Sequence, residues 1–196
     1  MNLADILNHL ILIRNLITVA LLIPVCCSVP TNYSIFFLSV ESSGDPNPMR
    51  YGLFGSSNSS QVQVGYDFSS PELDFDLRSI NTGFIHSLTV ALILYPIATA
   101  LLGVAITFSL FNVHIKLLLH TNYIAHLLLM IAWICSMVLF GATRSAFISQ
   151  GIDAGWGNAN WLALTACIVG ADYKSYIEIP TEILKRVKLD DHAMSV

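Results

Sequence analysis

Residues 84–111 read FIHSLTVALILYPIATALLGVAITFSLF, and residues 117–140 read LLLHTNYIAHLLLMIAWICSMVLF. Either run is long enough to cross a hydrocarbon core about 30 Å thick as a helix, because a helix rises about 1.5 Å per residue and satisfies its own backbone. Only residues 112–116 connect them. The two runs therefore predict a tight helical hairpin in a membrane.

Two further apolar runs flank this hairpin. The first, residues 10–29, is interrupted only by Arg14 and Pro24. The last predicted span, 156–172, holds an apolar run that would be about 24 Å long as a helix, which is marginal for a full crossing. The chain is 55% hydrophobic and 11% charged, whereas soluble domains are about 25% charged. We expect an all-α membrane protein, a bundle of four transmembrane helices. The first run, ending near Cys26, could alternatively be a cleaved signal peptide.

The basic residues predict the orientation. Lys116 lies in the short turn 112–116, and Lys185, Arg186 and Lys188 follow the last run. Since basic residues are retained on the cytoplasmic side, we expect both termini (1–9 and 173–196) to be cytoplasmic. Segments 30–83 and 141–155 would then lie outside. The net charge of −4 makes nucleic acid an unsuitable partner.

The long outer segment 30–83 is polar and acidic. Asn58 and Asn32 each begin an Asn-x-Ser triplet and are candidate N-glycosylation sites, Asn32 lying very near the membrane. Residues 33–40 are rich in strand formers, and Val62 to Val64 alternate as a short strand would. A small β-sheet is expected, with a disordered loop as the alternative.

Glycines flank an apolar pair in this segment. Gly52 and Gly55 stand on either side of Leu53-Phe54, so the backbone can take positive φ on both sides. Such a turn would press Leu53 and Phe54 onto the membrane surface or onto another strand.

The cysteines and histidines predict no metal site and no loop disulfide. All four cysteines lie inside the apolar runs, where Cys most often packs as a small apolar residue. His114, His120 and His126 recur every six residues, a spacing that spreads them around a helix rather than along one face. Inside the third run, His126 is expected to hydrogen-bond with another polar side chain, Asn122, Thr107 or Tyr95, although a pH-responsive role is chemically open.

No catalytic motif is found. The sequence has no Gly-rich phosphate loop, no zinc-ligand pair and no nucleophile elbow, and the apolar runs contain no Asp or Glu. A transporter commonly buries a carboxylate near the membrane midplane. We therefore expect a non-enzymatic protein without a cofactor, acting as a scaffold, chaperone or accessory subunit.

Several short motifs carry a family resemblance. Tyr51-Gly52-Leu53-Phe54-Gly55 and Gly65-Tyr66-Asp67, followed by Leu92 to Ala98 and Ala154 to Gly157, resemble in order and placement the PalI branch of the fungal PalI/Sur-seven family. The candidate motif residues are Tyr51, Gly52, Phe54, Gly55, Gly65, Tyr66, Pro96, Ala98, Gly155 and Trp156. Two departures stand out: residues 56–60 are Ser-Ser-Asn-Ser-Ser where family members commonly carry a cysteine pair, and Tyr95 replaces the usual His.

The resemblance implies a four-span plasma-membrane protein, distantly claudin-like in layout. PalI-type members look like accessory components of fungal ambient-pH signalling that help a seven-span sensor reach or stay at the plasma membrane. The Sur-seven branch instead organises eisosome domains and affects the cell wall. We expect the first of these roles. The second is the runner-up, and a small transporter or channel subunit, tested by flux through His126, is a third possibility.

Overall fold

A computed structural model describes residues 3–41, 48–58, 62–66, 68, 82–111 and 115–171. The elements in chain order are α1 (Leu3–Cys26), β1 (Leu38–Glu41), β2 (Met49–Tyr51), α2 (Thr82–Ala91), α3 (Leu94–Leu110), α4 (Ile115–Ser149), β3 (Asp153–Trp156) and α5 (Asn158–Gly170). The cytoplasmic tail expected at 173–196 lies outside the described residues, as do Asp67 and His114 of the motifs above.

Within the part of the chain that the structure describes, three helical segments are long and apolar enough to cross a bilayer: Asn8–Cys26, His86–Leu110 and Lys116–Ser149. The prediction of a mostly helical membrane protein is confirmed to this extent. Helix α5 has 13 residues, so it is about 20 Å long and reaches only about two thirds of the way across a 30 Å core. The fourth span and the claudin-like layout remain predictions.

The helices form a bundle with α1 and α4 on its diagonal. Helix α1 packs on α3 and α5, and α4 packs on the same two helices, so α1 and α4 face each other across the centre. At the end away from the sheet, the Asn8 amide donates to the Ser109 carbonyl over 3.0 Å, and the Ser109 hydroxyl donates to Asn8 Oδ1 over 2.6 Å. This pair joins the ends of α1 and α3.

The second apolar run is not one continuous α-helix. Helix α2 ends at Ala91 and α3 begins at Leu94, with a turn at Leu92 and Ile93. The cause is Pro96, because a proline ring clashes with the carbonyl four residues earlier, here that of Leu92. The amide of Tyr95 bonds instead to the Leu92 carbonyl at 3.1 Å, three residues back.

Helix α4 continues well past the predicted end at Phe140. Its 35 residues make it about 52 Å long, much longer than a bilayer core. Thr143 and Phe147, in the last turns, are fully buried. These turns pack against the sheet, so α4 joins the bundle to the polar segments.

A three-stranded antiparallel sheet with order β2-β1-β3 confirms the small sheet. Leu38 of β1 pairs with Tyr51 of β2 and with Trp156 of β3. The expected strand at Val62 to Val64 is wrong, since those residues form no strand. The outer edge of β2 is already occupied by a bridge between Tyr51 and Ser56. The third strand comes instead from the segment before α5.

Candidate functional site

The Gly-Leu-Phe-Gly turn is clamped against the end of α1. The backbone of Gly52 lies directly on Val29, where a Cβ atom would overlap the Val29 carbonyl oxygen. The Leu53 amide donates to Ser28 Oγ at 2.9 Å, and the Gly52 amide donates to the Gly55 carbonyl at 2.8 Å. Leu53 is therefore held inside the protein, where it is buried, and does not lie on the membrane surface.

A buried tyrosine closes the same turn from the other side. The Tyr66 hydroxyl donates to the Gly52 carbonyl over 2.7 Å. Tyr66 and Tyr51 both contact Phe68, with ring centroids 5.3 Å and 4.9 Å apart. Burial raises the pKa of both hydroxyls above the usual range for tyrosine. Both side chains stay neutral and hydrogen-bonding at any physiological pH.

An aromatic column links the sheet to the helices below it. Phe37, the residue immediately before β1, stacks on Phe140 of α4 with centroids 4.9 Å apart and planes 10° apart, and it lies 6.0 Å from the Tyr95 ring. The Tyr95 and Ser136 hydroxyls are hydrogen-bonded at 2.9 Å. The tyrosine that departs from the family pattern therefore connects α3, α4 and the sheet.

The start of α5 is fixed to the chain just before β1. The backbone of Gly157 lies against the Phe36 carbonyl, with no room for a Cβ atom. The Asn158 amide donates to the Ser34 carbonyl at 2.8 Å and accepts from the Phe36 amide at 3.1 Å, while the Asn160 amide donates to the Phe37 carbonyl at 2.7 Å. Both asparagines satisfy backbone groups where the chain meets the apolar core.

Two arginines cover the sheet. Arg144 of α4 donates from Nε to the Ala154 carbonyl at 3.0 Å, and its guanidinium lies 6.0 Å from the Trp156 ring centroid. Arg50 donates to the Tyr33 carbonyl at 2.7 Å and lies 4.8 Å over the Phe36 ring. Each guanidinium thus holds a backbone carbonyl while stacking on an aromatic face.

These contacts define a sheet module, made of residues 28–41, 48–58, 62–66, 68 and 150–157. It contains eight of the ten candidate motif residues: Tyr51, Gly52, Phe54, Gly55, Gly65, Tyr66, Gly155 and Trp156. Pro96 and Ala98 lie apart in α3. Gly155 and Trp156 stand on β3, and α5 begins two residues after Trp156. The glycosylation candidates Asn32 and Asn58 are both exposed in the module.

A second polar group lies inside the bundle. This polar layer consists of Arg14 and Asn15 of α1 and Asn122 and His126 of α4. Arg14 Nη2 lies 3.4 Å from His126 Nε2, so His126 contacts Arg14, a residue that was not among the three predicted partners. His126 Nδ1 and both amide atoms of Asn15 lack a hydrogen-bond partner. Gly170 of α5 packs on the His126 ring, where a Cβ atom would lie 2.7 Å from Cε1.

Sequence reasoning missed several residues that build the module. Ser28, Phe140 and Phe147 carried no signal that set them apart from neighbouring residues. Phe37 lies in the stretch 33–40, whose strand formers predicted a strand but not the contact with Phe140. Asn158 and Asn160 did carry one, because two asparagines at the start of an apolar run need partners. Among the described residues, no three His, Cys, Asp or Glu side chains are grouped to hold a metal ion. All four cysteines are free thiols.

The comparison with known families decides the assignment. The model described as the SUR7/PalI family matches residues 4–171. The chain belongs to the SUR7/PalI family. No curated protein matches the chain. The matched range of this SUR7/PalI protein runs from the start of α1 to the end of α5 and includes both the sheet module and the polar layer.

Proposed function

We propose that this SUR7/PalI protein is a non-enzymatic accessory protein of the plasma membrane, which stabilises or localises a partner membrane protein. The motif residues support this role. Gly52 and Gly157 pack against the backbone of Val29 and Phe36, and the Tyr66 hydroxyl donates to the Gly52 carbonyl. These residues therefore hold a rigid module together and do not form a reactive site. A rigid module on a helical bundle suits the binding of a neighbouring membrane protein.

The partner proposed first is a seven-span sensor of ambient alkaline pH. Its support is the PalI-like Tyr-Gly-Leu-Phe-Gly and Gly-Tyr motifs, which are built here into one clamp around Gly52. In this proposal the termini are cytoplasmic and the sheet module lies outside the cell. The exposed Asn58 is then available for glycosylation.

The runner-up is an organiser of plasma-membrane domains and the cell wall, as in the Sur-seven branch. The match to the joint SUR7/PalI family supports this role equally. Ser56 and Ser57 stand where members of the family commonly carry a cysteine pair, so this chain departs from the family pattern in the loop. Here Ser57 Oγ accepts from the Arg50 amide at 3.1 Å, and the Ser57 amide donates to the Arg50 carbonyl at 2.7 Å. Hydrogen bonds thus hold the turn without a disulfide.

Deletion of the gene with imaging of the sensor tests the first proposal. Loss of sensor at the cell surface and loss of growth at alkaline pH are expected, with rescue by the wild type and by Gly103→Ala. Rescue should fail with Gly157→Ala, which breaks the module. Unchanged growth and localisation would overturn the proposal. A tagged chain in stable cortical patches, with the sensor unaffected, would favour the runner-up.

A further inference from the structure

Two valines of the sheet module are unusually exposed. Val62 is 64% exposed and Val64 is 44% exposed, although Gly65 and Tyr66 directly after them are buried. Exposed apolar side chains on neighbouring residues mark an interaction surface more often than a single one does. The residues around the two valines indicate what covers this surface.

Contacts on both sides fix the position of these valines. The Gln63 amide donates to the Phe54 carbonyl at 2.9 Å, which ties the segment to the motif turn. Gly65 has a φ of +72°, and a Cβ atom there would lie 2.8 Å from Val90 Cγ2 and 3.0 Å from His86 Cε1. The segment therefore lies against the second half of α2.

This part of α2 begins a segment that is long and apolar enough to cross a bilayer. The apolar segment His86–Leu110 begins at the residues that Gly65 touches. Val90, Ile93 and Ile97 of this segment are exposed, so a stripe of exposed apolar side chains runs from α2 through the turn at Ile93 into α3. Val64, adjacent to Gly65, is thus level with the top of the stripe.

The charge of the segment agrees with this placement. No residue from Tyr51 to Tyr66 is charged, although the polar segment 30–83 as a whole is acidic. Charged side chains are costly near the hydrocarbon core, whereas apolar ones gain free energy on leaving water. An uncharged stretch that presents valines beside a stripe of exposed apolar side chains fits the boundary between headgroups and acyl chains.

We propose that Val62 and Val64 insert into the bilayer leaflet on the sheet side and anchor the sheet module to the lipid surface. The occupant of this surface is lipid, not a protein partner. The inference does not depend on which partner the protein serves, since it concerns the contact between the module and its own membrane.

Fluorescent labels test the insertion directly. In a background without native cysteines, Val64→Cys carries an environment-sensitive label in phosphatidylcholine nanodiscs, and Asp153→Cys, at the far end of β3, is the control. We expect quenching by a shallow spin-labelled lipid to be at least about threefold stronger at position 64 and quenching by aqueous iodide to be correspondingly weaker. Equal iodide quenching at both positions would overturn the proposal. That result is also expected if a protein covers the valines in native membranes, because the nanodiscs contain no such protein and the label at position 64 would then be exposed to water.

A charge substitution provides a second test that does not rely on a label. In the double variant Val62→Asp and Val64→Asp, the two charged side chains should leave the lipid surface. The rate of amide hydrogen exchange of residues 62–66 in nanodiscs should then rise about tenfold or more, while β1 stays protected. The pair Val62→Thr and Val64→Thr is the control and should raise exchange much less. Exchange in the Asp pair equal to wild type would overturn the proposal, and retained protection of β1 shows that the fold has survived.

Discussion

The sheet module and the polar layer hold the same helices together by different means. In the module, Gly52 and Gly157 bring backbones into contact, and hydrogen bonds such as that from Tyr66 to Gly52 satisfy buried carbonyls. In the polar layer, Asn15 is fully buried without a partner for either amide atom. Buried polar groups stabilise a protein only when they are paired. The module is therefore expected to carry stability, and the layer to cost some.

The largest expected effect is the loss of the aromatic column. Phe37→Ala should lower the free energy of unfolding by about 3–5 kcal/mol, because it removes a fully buried ring and leaves a cavity against Phe140. Unfolding by SDS in mixed micelles measures it. The control is Phe111→Ala at the end of α3, where the ring is 80% exposed. If both substitutions cost the same, the module does not carry the stability assigned to it.

Adding one methyl group at the start of α5 should have the next largest effect. Gly157→Ala places a Cβ atom onto the Phe36 carbonyl, and overpacking against backbone costs about 1–3 kcal/mol or more. Gly103→Ala in α3 is the matched control, since nothing lies within 4 Å of its Cβ position. The control should be neutral or gain up to about 1 kcal/mol from helix propensity. The same unfolding assay compares them, and equal stabilities would contradict the close approach.

The buried tyrosines predict a loss of stability at alkaline pH. Their folded pKa values are raised by burial, so the unfolded chain loses the protons first, at about pH 10. Stability is fully present below that pH and falls as pH rises toward the folded pKa values, by about 1.4 kcal/mol per tyrosine at pH 11.

Tyr66→Phe separates this effect from general alkaline unfolding. The variant should be less stable at pH 7, because the Gly52 carbonyl loses its donor, and its stability should fall less steeply above pH 10. Stability curves from pH 7 to 11 in the same detergent check both points. An unchanged slope would show that Tyr66 is not protected from ionisation by the fold.

The smallest expected effect is a gain in the polar layer. Asn15→Leu should raise the free energy of unfolding by about 1 kcal/mol, because an apolar side chain of similar size replaces a buried amide without a partner. Thr18→Val, one turn on, is the control and should not stabilise, since the Thr18 hydroxyl already donates to the Arg14 carbonyl at 3.0 Å. A loss of stability on Asn15→Leu would mean that the amide is paired after all.

The sequence predicted the apolar helices because a helix that crosses a bilayer needs a long apolar run. It predicted a sheet from the strand formers at residues 33–40. It could not locate β3, since Asp153-Ala154-Gly155-Trp156 has no alternating pattern and becomes a strand only by pairing with β1. The last turns of α4 were missed because Thr143 and Arg144 end the apolar run while the helix continues onto the sheet.

The sequence revealed the candidate motif residues, but it did not reveal that Gly52 packs against the end of α1. Gly52 suggested a turn, yet its contact with Val29 joins segments that only the fold brings together. The partner of His126 was missed for the same reason, because Arg14 is 112 residues away in sequence. Local patterns report propensity, whereas such contacts depend on how the helices are arranged.

Hydrogen exchange in nanodiscs tests most directly the claim that the motif glycines clamp a rigid module onto the bundle. In the wild type, the amides of Leu38–Glu41 should exchange at least about a hundredfold more slowly than an unstructured chain. In Gly52→Ala this protection should be lost, while α4 stays protected at residues 125–136. Unprotected β1 amides in the wild type, or full protection of β1 in Gly52→Ala, would contradict the account.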